Sequence, residues 1–234
     1  MRLYIIRHAD PDYSIDSITP EGHLEAKALS ERFSTHGLDR IYCSPKGRAI
    51  STMKYTSDIL KLGYNIEEWT KEVEDLWFDK TPWGPLALWD MPGEVIRGEQ
   101  TLPTHENWDQ QSFINTTTVN ERFNKLKLDS DAFLKRHGYE RVGGRYRCVE
   151  PNSEKIGVFC HGGFGVFWLA HLLEIPLSLM WAGFWLPPSS VTTLVFEERS
   201  KEWAVPRCIG LGDISHLYKA GLEAKPRGIV ANYF

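Results

Sequence analysis

The sequence predicts an α/β protein with three layers, in which a mainly parallel central sheet lies between helices. Short continuous apolar runs, typical of strands buried on both faces, occur near both ends of the chain. A helical segment follows each run, and this alternation is typical of parallel sheets. The chain has 234 residues, enough for a large core in one domain. The expected strands are residues 3–6, 40–43 and 156–160, with later strands at 191–196 and 203–209.

Two of the helices have recognisable start signals. Thr19 suits an N-cap, Pro20 the first helical position and Glu21 the first turn, so we expect a helix over about 20–36. Ser44-Pro45 repeats this pattern directly after the second strand, and Gly63 is the expected stop. A third helix is expected to follow residue 160 and to run to about 174. The first and third strands therefore each lead into a helix or a turn at the same edge of the sheet.

The segment from about 64 to 150 is the part of the predicted domain 1–234 that is hardest to interpret. Repeated Pro and Gly break any long periodicity between 64 and 115, and five of the nine Trp lie between 69 and 108. A helix is predicted over 116–138 and a hairpin over 139–150 around Gly143-Gly144. We interpret the segment as an irregular, Trp- and Pro-rich insertion that covers a site. Its tryptophans could equally form the core of a small subdomain.

Composition argues against several classes of protein. The net charge of −4 does not favour a nucleic-acid binder. No apolar stretch is long enough to span a membrane, and the charged start does not resemble a signal peptide, so the cytoplasm is the expected location. No two of the four cysteines have the Cys-x-x-Cys spacing of a redox pair or zinc knuckle. The sequence gives no indication of oligomeric state.

Two histidines follow predicted strands, and both strand ends are expected at one edge of the sheet. Arg7-His8 follows the first strand, and His161-Gly162-Gly163 follows the third. Because ligands of such sheets bind at the carboxyl ends of the strands, we expect His8 and His161 to meet there. Arg7 would disfavour the imidazolium form of His8 and leave a nitrogen lone pair free to attack. Taken singly, Arg7-His8 is more typical of an ordinary strand cap, and His161-Gly162-Gly163 is at least as typical of a core histidine beside a tight turn.

Arg48 adds a further cation to the same edge. It lies in the first turn of the predicted helix after Ser44-Pro45. Helix N-termini attract anions through their free N–H groups and dipole, and the Arg48 guanidinium could bind phosphate oxygens in a fork. An Arg in a first turn is unfavourable to the dipole, which weakens the interpretation as an ordinary surface residue.

Together the three motifs resemble the histidine phosphatase superfamily, which includes cofactor-dependent phosphoglycerate mutase. Arg7-His8-Ala9-Asp10 is similar to its R-H-G-E, the stretch 18–26 to its L-T-x-x-G-x-x-Q/E-A, and the stretch 44–52 to its S-P-x-x-R-A-x-x-T. His161-Gly162 matches its second His-Gly. The resemblance covers about residues 1–60 and 150–195. It implies a phosphoglycerate mutase-like fold.

The resemblance also implies a function. His8 would be the nucleophile that forms a phosphohistidine, and Arg7, Arg48, His161 and Gly162 would hold the phosphoryl group of a small phosphorylated substrate. Phosphoryl transfer depends chiefly on positive charge around the phosphoryl oxygens, and two arginines supply it without a metal or another cofactor. The expected activity is metal-independent hydrolysis of a phosphate monoester.

The proton donor to the leaving group is less well defined. The resemblance implies an acidic residue beyond the second helix, and Glu72 has the most similar local context, with Glu74 and Asp75 left open. A run of acidic residues such as this one is usually an ordinary solvated surface. The continuation G-x-x-E-G of the mutases is absent, since the chain has Trp83-Gly84-Pro85-Leu86, and this favours a phosphatase over a mutase.

Two alternatives belong to other classes. A metal-dependent hydrolase could use His8, Asp10 and His161, with further oxygen and nitrogen ligands from Asp12, Asp213 and His216. The charge of Arg7 and Arg48 would repel such a metal. A non-catalytic phosphate-binding module on the same fold is the second alternative. Such a module would be free to lose one of the two histidines or arginines, and the presence of all four residues argues against it.

Overall fold

The fold of a computed structural model confirms the predicted α/β class. The structure describes residues 1–98, 100–111, 114 and 116–229; residues 99, 112, 113 and 115 of the segment 64–150, and residues 230–234 of the predicted domain, lie outside it. The strands of the described part are β1 Arg2–Arg7, β2 Pro11–Asp12, β3 Ser17–Ile18, β4 Arg40–Cys43, β5 Tyr64–Ile66, β6 Trp77–Phe78, β7 Leu86–Ala87, β8 Tyr139–Val142, β9 Arg145–Cys148, β10 Lys155–Cys160, β11 Val191–Glu197 and β12 Trp203–Asp213. Its helices are α1 Pro20–His36, α2 Gly47–Leu60, α3 Gly93–Arg97, α4 Thr116–Arg136, α5 Gly162–Leu173, α6 Leu177–Gly183 and α7 Ser215–Ala220.

Eight of these strands form the central sheet, in the order β5-β4-β10-β1-β11-β12-β9-β8. The half that carries the predicted motifs, β5-β4-β10-β1, is parallel. The other half, from β11 to β8, joins β1 through antiparallel pairs. Strands β1 and β10 are direct neighbours, in a register that places Arg7 opposite Cys160. The residues that follow them, His8 and His161, are therefore brought to the same place on the sheet edge.

Alternating side chains of the central strands build the cores on the two faces of the sheet. In β1, Tyr4 and Ile6 pack in one cluster with residues of α1 and α2. Leu3 and Ile5 pack in the other, with residues of α4, α5 and α6. A strand buried on both faces must be apolar throughout, which explains the continuous run in the sequence.

The helix starts follow the predicted chemistry with one shift. The Thr19 side chain accepts a hydrogen bond from the Gly22 N–H, and Pro20 is the first residue of α1, as expected. Helix α2 begins at Gly47 rather than directly after Pro45, and Lys46 is its N-cap. It ends at Leu60 because Lys61 adopts the left-handed conformation, so the stop precedes Gly63. Arg48 still lies in the first turn.

One part of the segment 64–150 lines a cavity at the sheet edge, and another part belongs to the central sheet and its core. Residues between Glu72 and Asp90 line a cavity at the sheet edge. Helix α4 packs on the sheet, and the β8–β9 hairpin, predicted at this position, extends the sheet at β12. The tryptophans divide in the same way, since Trp69 packs against Phe133 and Trp168 in the core, whereas Trp77 and Trp89 line the cavity. No helix in the described part of the chain is both long and apolar enough to cross a bilayer.

Candidate active site

His8 lies directly beyond β1 and is held there by its backbone. Its N–H donates to the carbonyl of Cys160 at 2.9 Å, and its own carbonyl accepts from the Ser189 N–H at 2.9 Å. In the side chain, Nδ1 lies 2.8 Å from the Ala9 carbonyl oxygen. A carbonyl only accepts, so Nδ1 carries the proton, and in the neutral ring Nε2 keeps its lone pair. The backbone thus selects the tautomer in which Nε2 can act as a nucleophile.

The environment of His8 keeps its ring neutral. The residue is 1% exposed. Burial is the main reason why the pKa of His8 lies well below its usual range, and the nearby charges of Arg7 and Arg48 lower it further. The sequence had suggested the effect of Arg7, and the structure adds burial as the larger cause.

His161 faces His8 from the neighbouring strand. The two rings are 5.2 Å apart between centroids, at an interplanar angle of 61°. Nε2 of His161 lies 2.8 Å from the Ser44 hydroxyl, which gives the Ser of the Ser-Pro motif a role in orienting this imidazole. Burial, followed by the proximity of His8 and Arg48, holds the pKa of His161 well below its usual range.

Arg7 lies beneath the first turn of α5. Its Nη1 donates to the Leu186 carbonyl at 2.6 Å. A Cβ at Gly162 would come within 3.1 Å of the Arg7 Cζ and Nε, so the guanidinium packs closely against the start of the helix. Both residues line the cavity. Gly162, for which the sequence predicts a phosphate contact, thus lies directly against Arg7.

Arg48 is 4% exposed and is ion-paired on two sides. Nη1 donates to Asp16 at 2.6 Å, and Nη2 donates to Glu74 at 3.2 Å. Thr52, one turn later, bridges the two motifs, since its hydroxyl donates to the Arg48 carbonyl and accepts from the Ala9 N–H. The first turn of α2 is thereby fixed relative to the loop that carries His8.

The residues around His8 leave several buried nitrogen atoms without a hydrogen bond in the described part of the molecule. These are Nε of Arg7, Nε of Arg48 and Nδ1 of His161. Buried N–H groups without partners are costly, and functional sites are where they are tolerated. An anion with several acceptor oxygens is the ligand that complements two guanidinium groups and an imidazole.

Glu72 lies in the same cavity as Arg7 and Arg48. Its carboxylate accepts hydrogen bonds from the N–H groups of Gly163 at 3.0 Å and Phe164 at 2.6 Å, at the N-terminus of α5. It also accepts from the Val73 N–H at 3.2 Å. Burial raises the pKa of Glu72, and these three N–H groups oppose the rise. The carboxyl is thus both fixed in direction and partly desolvated.

The two neighbouring acids have different surroundings. Glu74 bonds to Lys46 and Arg48, and these cations lower its pKa against the opposing effect of burial. Asp75 pairs with Arg122 and does not line the cavity. Of the three acids left open by the sequence, Glu72 alone combines a place in the cavity with a raised pKa.

Two charged residues of the cavity were not found by sequence reasoning. Asp90 lines the cavity, and burial raises its pKa to about 7, with Glu72 adding to the rise and Arg7 opposing it. Arg227 also lines the cavity and forms two hydrogen bonds to Asp10, at 2.6 and 3.0 Å. Asp90 lies in the irregular segment and Arg227 near the end of the chain, so neither has a periodic or motif context that could have marked it.

The arrangement around Asp10 bears on the metal-dependent alternative. The Asp10 carboxylate is engaged by Arg227 and by the Thr19 hydroxyl, which donates at 2.8 Å. Asp213 pairs with Arg32, and with His216 it lines another cavity. Among the described residues, no three His, Cys, Asp or Glu side chains are grouped as metal ligands would be. The candidate ligands named from the sequence are therefore dispersed, and Asp10 is neutralised by a cation.

The fold and the site together define a class of protein: an α/β protein in which two buried histidines and two buried arginines lie at the carboxyl ends of parallel strands. Residues 3–75 match the model of the histidine phosphatase superfamily, branch 1. The matched residues include Arg7, His8, Arg48 and Glu72, so the match supports the resemblance that the motifs indicate.

The chain also matches part of an individual curated protein. The chain is 35% identical over 81 residues to a putative phosphoserine phosphatase 2 of Hydrogenobacter thermophilus, a match that covers 31% of this chain and 40% of that protein. The matched region thus spans less than half of the length of this relative.

Two solved structures have a similar fold. The phosphoserine phosphatase of Entamoeba histolytica in complex with 3-phosphoglyceric acid has a TM-score of 0.61 and 19% identity, covering 92% of this chain and 98% of that one. A mycobacterial glucosyl-3-phosphoglycerate phosphatase has a TM-score of 0.56 and 16% identity, covering 90% and 98%. At these identities the likeness establishes the phosphoglycerate mutase-like fold.

Proposed function

We propose that this chain is a metal-independent phosphatase that hydrolyses small phosphate monoesters through a phosphohistidine on His8. The observation that carries the proposal is the Nδ1 hydrogen bond of His8 to the Ala9 carbonyl, which leaves Nε2 unprotonated beside two arginines. The match to the superfamily model and the names of the similar proteins support the same activity.

In the first step, Nε2 of His8 attacks phosphorus and the bond from phosphorus to the ester oxygen breaks. Arg7, Arg48 and His161 stabilise the charge on the phosphoryl oxygens, which is the main requirement of phosphoryl transfer. The His8 imidazole does not itself line the cavity, so the phosphoryl group reaches it past Arg7 and Arg48. The departing oxygen takes a proton from Glu72, so an alcohol leaves.

In the second step, water attacks the phosphohistidine and the bond from phosphorus to Nε2 breaks. Glu72, now a carboxylate, takes the proton of the water, and inorganic phosphate is released. Glu72 thereby returns to its protonated form and His8 to its neutral form. The two arginines supply the positive charge throughout, so no metal ion is required.

The proposal is tested by trapping the intermediate. Rapid acid-free quenching after mixing with p-nitrophenyl phosphate should give a phosphoprotein that is labile to acid and stable to base. His8→Ala should lose both the phosphoprotein and several orders of magnitude in kcat, about 10⁴-fold or more. His36→Ala, at an exposed histidine near the end of α1, is the matched control. Wild-type turnover by His8→Ala, or activity that requires added Mg²⁺ or Zn²⁺ after dialysis against EDTA, would contradict the mechanism.

A further inference from the structure

The cavity that contains Arg7 continues into a second cavity farther from His8. The two have volumes of about 460 and 580 Å³. Because they have six lining residues in common, they form adjoining parts of one site. The shared residues are Trp77, Trp89, Asp90, Phe184, Trp185 and Gly228. A phosphate monoester with its phosphoryl group at Arg7 and Arg48 would extend its leaving group into this shared region.

The two cavities differ in their cations. Arg7, Arg48 and Arg227 line the first, together with the acids Glu72, Glu74 and Asp90. Among the described residues, Asp90 is the one charged side chain that lines the second, and no Lys or Arg accompanies it. A leaving group with a second phosphate or a carboxylate would therefore find a carboxyl group and no cation there, which is unfavourable in a site partly shielded from water.

The walls of the second cavity are aromatic. In addition to the shared rings, Trp83 and Trp181 line it. Trp77 and Trp83 keep 54% and 46% of their surfaces exposed, although large apolar side chains of a folded protein are usually covered. Indole faces bind flat apolar groups, and they also attract organic cations through their ring quadrupoles.

Asp90 adds a carboxyl group to these aromatic walls. Its carboxyl group makes no hydrogen bond within the described part of the molecule, whereas Glu72 is held by three N–H groups. A Cβ at Gly228 would come within 2.7 Å of Asp90 Oδ1, so the backbone near the end of the described chain closely covers this carboxyl. A partly buried carboxyl without a donor, surrounded by indole rings, is suited to an ammonium group.

Given the phosphatase function proposed above, we infer that the substrate is a phosphate monoester whose leaving group is flat and apolar, carries an amine that pairs with Asp90, and has no second acidic group. The phosphoryl end is bound by the arginines, and the amine by Asp90 and the indole rings. The site therefore selects for a monoester that carries an amine, and against monoesters with a second acidic group, such as 3-phosphoglycerate.

Three phenyl phosphates test whether the site prefers an amine, a neutral chain or a carboxylate on the leaving group. They are tyramine O-phosphate with an amine, 4-ethylphenyl phosphate with a neutral chain, and 3-(4-phosphonooxyphenyl)propionate with a carboxylate. Calorimetry on the His8→Ala variant gives their dissociation constants without turnover. We expect tyramine phosphate to bind best and the carboxylate worst, with a ratio of about 30 or more between them. Equal affinities, or preference for the carboxylate, would overturn the inference.

Substitutions test which residues produce the expected preference for the amine. Asp90→Asn in the His8→Ala background should reduce the ratio of amine to carboxylate affinities by at least about tenfold. Asp75→Asn, at an acid outside the cavity, should leave it unchanged. Trp77→Ala should weaken binding of 4-ethylphenyl phosphate relative to methyl phosphate, whereas Tyr218→Ala, at a 90% exposed aromatic residue of α7, should not. An unchanged ratio in Asp90→Asn would refute the assigned role.

The same compounds distinguish failure of the inference from failure of the proposed function. The affinity order is measured without catalysis, so it tests the inference alone. Turnover of p-nitrophenyl phosphate by the wild-type protein tests the phosphatase function alone. A phosphatase that binds all three esters equally would refute only the inference.

Discussion

Arg48 donates a hydrogen bond to the Glu74 carboxylate at 3.2 Å, so a cation that we propose for the phosphoryl group is engaged by an acid of the protein itself. Glu74 is half exposed and also bonds to Lys46. A phosphoryl group that binds Arg48 must compete with this carboxylate. The ion pair keeps the guanidinium in position and at the same time opposes the binding of anions.

Removing the charge of Glu74 should therefore improve anion binding. Glu74→Gln is expected to lower the inhibition constant of inorganic phosphate by about two- to fivefold, a modest effect because exposed ion pairs are weak. Steady-state inhibition at constant ionic strength measures it. Asp75→Asn removes the adjacent charge, which pairs with Arg122 outside the cavity, and should give a smaller change. A weaker phosphate affinity in Glu74→Gln would mean that the acid chiefly positions Arg48.

The planar geometry of the Arg48 guanidinium should contribute to anion binding and turnover in addition to its charge. Arg48→Ala should weaken inhibition by vanadate and reduce kcat/KM by about 10²-fold or more, the scale seen when one donor to a transition-state anion is removed. Arg48→Lys should restore only part of this loss, since an ammonium group cannot bond Asp16 and the phosphoryl group in the same planar arrangement. Arg40→Ala, at an exposed arginine on β4, is the control. Full recovery with Lys would show that a point charge is sufficient.

Protonation of the leaving group should depend on Glu72. Glu72→Gln should slow the burst of phosphorylation by an alkyl phosphate by about 10²- to 10⁴-fold, because a basic leaving oxygen requires a proton. The burst with p-nitrophenyl phosphate should slow much less, since p-nitrophenolate leaves without protonation. Rapid-quench kinetics measure both.

Two further variants test this assignment. Glu74→Gln should not reproduce the difference between the two substrates, because Glu74 is ion-paired with Lys46 and Arg48. Asp90 is in the same cavity, and its pKa of about 7 would allow it to carry a proton. If Asp90→Asn gives the leaving-group dependence and Glu72→Gln does not, the proton donor is Asp90.

The depressed pKa of His8 predicts a pH dependence. A nucleophilic histidine must be neutral, and its neutral fraction falls only as the pH falls through its pKa. Since burial, Arg7 and Arg48 place that pKa well below 6.5, the His8 ring should show no titration by NMR between pH 8 and 6.5. The His8→Ala spectrum assigns the signal.

Arg7→Gln provides the comparison for this measurement. It removes the nearest positive charge and should raise the pKa of His8 towards its usual range, while burial still keeps it low. Arg2→Gln, at the exposed start of the same strand, should have no such effect. Titration of His8 near pH 6.5 in the wild-type protein would contradict the environment described here.

Much of the fold was predictable because its signals are local. The apolar runs of β1, β4 and β10 follow from burial on two faces, and the Thr19-Pro20 start of α1 follows from capping within a few residues. The antiparallel half of the sheet was less evident. Strand β11 pairs with β1 although the paired residues are 185 to 193 positions apart in the sequence, and no local pattern specifies that pairing.

By itself, the sequence determined the α/β class, the strand ends that carry His8 and His161, and the place of Arg48 in a helical first turn. These depend on periodicity and capping, which act over a few residues. The tertiary structure alone decided which acids surround these groups. It tied Glu72 to the start of α5, paired Glu74 with Arg48, joined Asp10 to Arg227 and placed Asp90 among indole rings. Such contacts arise between distant segments of the chain, where burial and electrostatics depend on packing and leave no regular pattern in the sequence.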